Sequence, residues 1–378
     1  MKRLVVRRVL ISTPFLHLNN LPWVRAFESI GVTTSFVTLS SSLQYSDEIS
    51  THLLRNVTGA RKKMLYLPNL FTIIRILKKE RPDLLILREF SITNIMLSLL
   101  SRLMLRSSTI FYDQNEIEYS GKMRILSRLL ISPHLMTTAP GESHFLHKSS
   151  TAPGSWFRTA TFVPFFFPPQ VSHDYIRRKY LDSTGPLRIV CVGKYRMRRK
   201  NMRLLVKSLE ALLLEQSVSL SLVGKIESNH DPQYSSLLTL CDGLTNRGAR
   251  ISVLTNLSQN AVFEEFKKAH IFILPSENEP ASISQIEAMA HGLPVIVCTD
   301  NGTRYVVSEG ENGLLIEPTE ESIRHAVKII LQDRNNLGWW ASNALTTVEN
   351  TFSQAAFIGS FQAFLAGENR CFDMQPSP

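Results

Sequence analysis

Residues Pro275–Val297 read PSENEPASISQIEAMAHGLPVIV, and the four residues before them, Ile271–Leu274, read IFIL. IFIL is short, wholly apolar and β-rich, which predicts a buried strand. A polar loop follows. Pro280 suits the first turn of a helix, where a missing N–H costs nothing. The spacing then predicts a helix over Ala281–His291, stopped by Gly292 and kept from continuing by Pro294. Val295–Cys298 returns to a buried strand. A strand, a helix and a second strand within 28 residues form a parallel crossover unit.

The same rhythm runs outward in both directions. Upstream, Arg188–Val192, Val218–Val223 and Ala249–Leu254 read as strands, and Met202–Leu214 and Ala261–Ala269 as helices. In the first half, Val9–Ser12, Thr34–Leu39, Asp83–Leu87, Thr109–Tyr112 and His134–Thr138 read as strands. Leu21–Ile30, Leu70–Lys79 (with Asn69 as N-cap) and Ile92–Leu105 read as helices. Alternation of this kind predicts an α/β chain with parallel sheets covered on both faces. A length of 378 residues is too great for one ordinary core and suits two domains. The proline-rich run FVPFFFPP, followed by DSTGP, marks the boundary. The expected division is 1–165, a linker at 166–186, 187–350, and a terminal helix and tail at 351–378. The helix is read at Phe352–Leu365.

Composition excludes several classes. Charged residues are 20% of the chain and hydrophobic ones 44%, so a folded rather than disordered protein is expected. The apolar stretch Ile95–Leu105 is broken by Arg102 and is about half the ~20 residues that span a bilayer. Arg7 and Arg8 interrupt the N-terminal apolar run, which therefore reads as a strand and not as a signal peptide. Cys191, Cys241, Cys298 and Cys371 lie far apart, which supports neither a zinc site nor a disulfide framework. No metal and no cofactor is expected, and a reducing cytoplasm fits. Residues 1–180 hold 24 lysines and arginines against 11 acids, a net of +13; residues 181–378 hold 18 against 21, a net of −3. A basic first half suits an anionic partner such as a membrane surface, a phosphorylated acceptor or nucleic acid, or else is simply a solvated face.

A helix that begins at the C-terminal end of a parallel strand points free N–H groups and its positive dipole end at the sheet's ligand edge. The small residues Ala281 and Ser282, with Ile283, would let a phosphate approach that backbone. Glu279 and Glu287, eight residues apart, are separated by about 12 Å if both lie on a helix. That is too far for paired acid–base work or one metal ion, and suits a long ligand held by its hydroxyls at two places. After the strand Arg188–Val192 come Gly193 and a basic run, Lys194, Arg196, Arg198, Arg199 and Lys200. Such a run can neutralise the charge that builds on a departing diphosphate.

The block Glu279–Val297 resembles the Glu-x7-Glu signature of the retaining family-4 (group 1) glycosyltransferases, including Ala-Met-Ala-x-Gly-x-Pro-Val. VGKYRMRRKN resembles that family's Gly-Arg/Lys…Lys loop, and Asn301–Gly302 with GENGLLIEP resembles its following turn and Asn-Gly-Leu-Leu segment. The resemblance covers about residues 186–320. It implies a GT-B fold: two Rossmann-like, doubly wound domains facing a cleft, the first binding acceptor, the second a nucleotide sugar, with the terminal helix returning to the first. It implies that Glu287 holds the ribose hydroxyls and that Glu279 lies beside the donor sugar. By the same resemblance Lys194 and Lys200 are the candidates to clamp the pyrophosphate, with Arg199 able to replace Lys200. Gly193, Pro280, Ala281, Ser282 and Ile283 complete the donor contacts. Pro280–Ala281 stands where the family usually has an aromatic–glycine pair.

The first half resembles the family only in architecture. Its first strand is followed by STPFLHLNNLPW and not by a glycine-rich turn. Asn115 and Glu116, in the DQNE run after a strand, are candidates to touch the donor sugar and orient an acceptor hydroxyl; Glu142 and Ser143 hold a similar position. The expected function is transfer of a hexose from a UDP- or GDP-sugar to a lipid-linked or polysaccharide acceptor with retention, by a cytoplasmic protein peripheral to the inner membrane face. The competing readings are another GT-B chemistry, such as an epimerase or an inverting transferase, a catalytically weak nucleotide-binding accessory protein, and a nucleic-acid-binding protein. No GxGxxG follows the first strand and no P-loop is present, which argues against dinucleotide enzymes and common NTPases.

Overall fold

The computed structural model describes residues 6–14, 21–39, 50–55, 66–88, 91–113, 134–137, 159–162, 166–181, 185–226, 231–279 and 281–366. The chain forms two compact units. The first runs to Phe166 and resumes at Gln354; the second is Phe167–Ser353.

The described strands of the first unit are β1 (Arg8–Thr13), β2 (Thr33–Thr38), β3 (Thr51–Leu53), β4 (Leu84–Arg88), β5 (Ser108–Asp113), β6 (His134–Thr137) and β7 (Thr159–Phe162). They make one parallel sheet in the order β3-β2-β1-β4-β5-β6-β7. Successive side chains on a strand point to opposite faces, and the core divides accordingly. Val9, Ile11, Leu84 and Ile86 join one cluster, with Trp23 and Phe27 from α1 (Leu21–Ser29). Leu10, Leu85 and Leu87 join the other, with Ile73, Ile76 and Leu77 from α2 (Leu70–Glu80) and Ile95 and Leu97 from α3 (Ile92–Leu105). Asn69 caps α2 by accepting from the Phe71 N–H at 2.9 Å, and Ser91 caps α3.

The second unit opens with a difference from the sequence reading. The segment expected as an irregular linker carries helix α4 (His173–Leu181), which packs Ile176 against Ala341 and Leu345. Its prolines, Pro168 and Pro169, precede the helix and do not interrupt it. The sheet runs β10-β9-β8-β11-β12-β13 and is again all parallel. Its strands are β8 (Leu187–Lys194), β9 (Val218–Lys225), β10 (Ile251–Thr255), β11 (Ile271–Leu274), β12 (Val295–Cys298) and β13 (Gly313–Ile316). The stretch expected as one helix over Met202–Leu214 is two, α5 (Met202–Ser208) and α6 (Glu210–Leu214), separated at Leu209. The remaining helices of this unit are α7 (Pro232–Thr245), α8 (Gln259–Lys268), α9 (Ile283–Ala290), α10 (Glu320–Gln332) and α11 (Leu337–Thr351). Gly292 after α9 has φ +64°, and a Cβ there would collide with Ile176 of α4, so both conformation and space require glycine.

Helix α12 (Gln354–Ala366) belongs to the first unit. Its Phe357 and Phe361 pack on the Phe27 ring with centroids 5.7 and 4.9 Å away, and Phe357 lies 5.1 Å from Trp23. Among the described residues no helix is long and apolar enough to cross a membrane.

Candidate donor site

The site residues of the second unit gather at the C-terminal edge of its sheet, on the loops after β8, β11 and β12. The β8 loop is folded tightly. The Met197 N–H donates to the Lys194 carbonyl at 3.0 Å, and Arg198–Lys200 form a single 3-10 turn. Gly193 opens it; a Cβ there would sit 3.0–3.3 Å from Met202 and Lys200 side-chain atoms, so glycine allows Lys200 to fold back over the strand. Tyr195 lies across Gly224 of β9, and its hydroxyl reaches the Leu222 and Leu254 carbonyls at 2.8 and 2.9 Å. Lys194, Arg196 and Arg198 are exposed.

Lys200 turns inward. It is 8% exposed, and its Nζ lies 2.5 Å from Oε2 of Glu279, itself 4% exposed. Arg199 Nη1 reaches the same oxygen at 2.7 Å. A buried carboxylate needs a charged partner; Glu279 has two. Backbone contacts fasten the loops around this triad. The Glu277 N–H donates to the Arg199 carbonyl at 2.9 Å, Asn201 Nδ2 to Pro275 O at 3.0 Å, and Gly302 N–H to Glu279 O at 2.7 Å.

The helix is shorter than the sequence suggests. Ser282 is its N-cap, accepting from the Gln285 N–H at 3.3 Å, and α9 begins at Ile283. Ala281 and Glu279 therefore precede the helix, and the helical spacing between Glu279 and Glu287 does not apply. Serine capped three residues ahead of Gln285 outweighs the proline signal. Pro280 lies outside the described residues, as do Asn115, Glu116, Glu142 and Ser143. The Ser282 N–H is not open to a ligand either: it donates to Thr303 Oγ1 at 3.3 Å. The amides of Ile283 and Ser284 remain at the helix start.

Glu287 sits on α9, half-buried, with no side-chain partner among the described residues. Burial pushes its carboxyl up to about 7. His291 closes the helix; its Nδ1 lies 2.7 Å from the Glu287 carbonyl, so that nitrogen carries the proton, and burial pushes the ring down to about 4.

A buried polar network, which the sequence reading did not single out, supports this edge. Gln285 is fully buried on α9. Its Oε1 accepts from Asn301 Nδ2 at 3.0 Å and from Thr303 Oγ1 at 2.7 Å, while its Nε2 donates to Thr303 O at 3.1 Å. Asn301, read from sequence with Gly302 as a turn, also ties the β12 loop to the helix, together with Thr303. A glutamine at a position flanked by Ile286, Ala288 and Met289 was the available signal. The three described cysteines, Cys191, Cys241 and Cys298, are free and buried. Among the described residues no group of three His, Cys, Asp or Glu is placed to hold a metal ion.

Residues 186–333 match the family of glycosyl transferases group 1. The chain is 24% identical over 212 residues to the lipopolysaccharide core biosynthesis mannosyltransferase LpcC of Rhizobium leguminosarum, covering 54% of this chain and 58% of that one. It spans between 16% and 38% of the length of three other curated relatives. Among solved structures it is similar to a glycosyltransferase from Rickettsia africae, with a TM-score of 0.76 at 14% identity over 97% of this chain and 99% of that one. It is also similar to Anabaena HepE in complex with UDP, with a TM-score of 0.74 at 14% identity over 96% and 100%. The folds agree across both units, and the family match falls on the unit that carries the Glu279 triad and Glu287. The second unit therefore carries the match to the group 1 glycosyltransferases, at residues 186–333, and the chain has the GT-B fold of its structural neighbours.

Proposed function

We propose that this protein transfers a hexosyl group from a UDP- or GDP-sugar to an acceptor hydroxyl with retention of anomeric configuration. The observation that carries the reading is Glu279, held between Lys200 and Arg199 at the strand edge where α9 begins. The donor diphosphate takes up the exposed charge of Lys194 and the Ile283 and Ser284 amides, with Lys200 and Arg199 beside it. Glu287, unpaired and desolvated, accepts the two ribose hydroxyls. In the transfer the bond from the anomeric carbon to the diphosphate oxygen breaks, and its electron pair leaves with the diphosphate. The acceptor oxygen bonds to that carbon from the same face, and its proton passes to the diphosphate. The cations stabilise the leaving group as its charge grows. LpcC being a mannosyltransferase and HepE binding UDP both fit a nucleotide-sugar donor. A thermal-shift screen of UDP-, GDP- and ADP-sugars tests this: the UDP- or the GDP-sugars should raise the melting temperature, and no response, or a response to ADP-sugars alone, would overturn it.

For the acceptor, we infer a lipid-linked or polysaccharide intermediate at an anionic membrane face. The support is the +13 charge of residues 1–180 and an exposed apolar corner in the first unit. There Leu70 and Phe71, 44% and 78% exposed, start a helix that ends in Lys78 and Lys79. Sedimentation with anionic vesicles should exceed that with neutral ones, and Phe71→Ser should reduce it; equal sedimentation with both vesicle types would overturn it.

A further inference from the structure

The opposite, N-terminal edge of the same sheet holds a second group of cations. Arg188 stands at the start of β8 and His270 immediately before β11. The Arg188 N–H donates to His270 Nδ1 at 3.1 Å, so the ring proton sits on Nε2. That Nε2 is sealed from solvent in a fully buried ring and has no hydrogen-bond partner among the described residues. Arg334, in the turn after α10, gives Nη1 to the Gly185 carbonyl at 2.5 Å and leaves Nε and Nη2 buried without partners. Among the described residues, Lys179 of α4 meets the Phe266 carbonyl at 3.4 Å and the Tyr175 and Tyr180 rings at 6.0 and 5.3 Å.

Among the described residues no carboxylate pairs with any of these four groups. The nearby glutamates are taken, Glu264 by Lys267 and Glu265 by Lys268, both at 2.7 Å. Buried donors and charges without partners are costly, and native proteins rarely leave several together. Burial, then Arg188, lowers the Lys179 ammonium to about 7. Burial, then Arg188, Arg334 and Lys179, hold the His270 ring at about 3. Arg188 already gives its Nε–H to the Lys268 carbonyl at 2.5 Å; an anion at this edge would supply the acceptor that His270 Nε2, Arg334 Nε and Arg334 Nη2 lack and a counter-charge for Lys179.

We propose that Arg188, Arg334, Lys179 and the His270 Nε2–H form a second anion site, which binds a phosphate group carried by a small soluble ion or ester. Arg188, whose side chain is exposed, is its solvent-facing member. The guanidinium of Arg334 supplies two donors, Nε–H and Nη2–H, in the fork that matches two phosphate oxygens. The site is separate from the donor edge: β8 spans eight residues, which at about 3.3 Å each places Arg188 roughly 20 Å from Lys194. It does not depend on which nucleotide sugar the other edge takes.

The test is the melting temperature in inorganic phosphate against chloride at equal ionic strength, for the wild type, Arg334→Gln and Lys194→Ala. Phosphate should raise the wild-type value by roughly 2–4 °C. Lys194→Ala, altered at the donor edge, should keep at least half of that increment, and Arg334→Gln should lose most of it. Arg188→Gln repeats the test on an exposed side chain should Arg334→Gln fail to fold. No increment in the wild type, or a full increment in Arg334→Gln or Arg188→Gln, would overturn the proposal. Vesicles of phosphatidic acid form a second arm: binding to them that is lost in Arg188→Gln, without any effect of free phosphate, would overturn the soluble-ion assignment in favour of a lipid headgroup.

Discussion

The two edges of the second unit's sheet handle positive charge in opposite ways. At the C-terminal edge, Lys200 and Arg199 share one carboxylate oxygen of Glu279, and three loops are tied around the pair. At the N-terminal edge, Arg188, Arg334 and Lys179 crowd a neutral histidine with no acid among the described residues to balance them. The first arrangement carries its own counterion, so its cations stay in place without ligand, and the proposed donor diphosphate would share them with Glu279. The second keeps buried donors unspent. An internal counterion favours geometry over affinity; its absence favours affinity.

Removing the counterion should show the largest effect. Glu279→Gln turns the donor edge into the likeness of the other edge. Turnover should fall at least ~100-fold as Lys200 and Arg199 lose their placement, while nucleoside-diphosphate binding tightens severalfold. Unchanged turnover in steady-state assays would break the comparison. Glu287→Ala comes next, with donor affinity falling about 10-fold or more by calorimetry, because the carboxylate proposed to accept the ribose hydroxyls is lost. Glu287 also gives a pH signature. Its folded value near 7 is raised above the ordinary carboxylate range. Its contribution to stability is therefore complete below about pH 4.5 and lost as pH rises through 7, at most about 3 kcal/mol. Over the same range the growing carboxylate fraction should tighten donor binding. Glu287→Gln should flatten both profiles. The smallest change is Thr303→Val, which strips one donor from buried Gln285 and leaves the Ser282 N–H unpaired. It should cost about 1–3 kcal/mol in denaturant unfolding and weaken the donor edge through loss of order.

The parallel strands of the second unit were legible because each is a short apolar run closed by a polar loop, as in IFIL before PSENEP. The alternation of strands with helices likewise told that both faces of the first sheet are covered, where Val9 and Ile11 join one cluster and Leu10 the other. Helix boundaries were less legible. Pro280 marks a helix start as well as Ser282 does, and only the Ser282 hydroxyl on the Gln285 N–H decides between them. Helix α4 was missed because the prolines before it outweigh the modest apolar content of HDYIRRKYL. The roles of Glu279 and Lys200 came from resemblance; their direct contact, across 79 positions of sequence, is a tertiary fact that local pattern does not encode. The Gln285–Asn301–Thr303 network and the His270 cluster are of the same kind. Each polar residue looks ordinary alone and acquires meaning from a neighbour on another crossover.

The placement of α12 has a consequence for biosynthesis. Phe357 and Phe361 close the core that Trp23 and Phe27 begin, more than 320 positions earlier in the chain. A ribosome releases that last wall only after the whole of Phe167–Ser353, which emerges as one uninterrupted stretch. Assembly should then run against the usual N-terminal-first order: the later unit can finish first, and the earlier one waits with its aromatic face incomplete until α12 arrives.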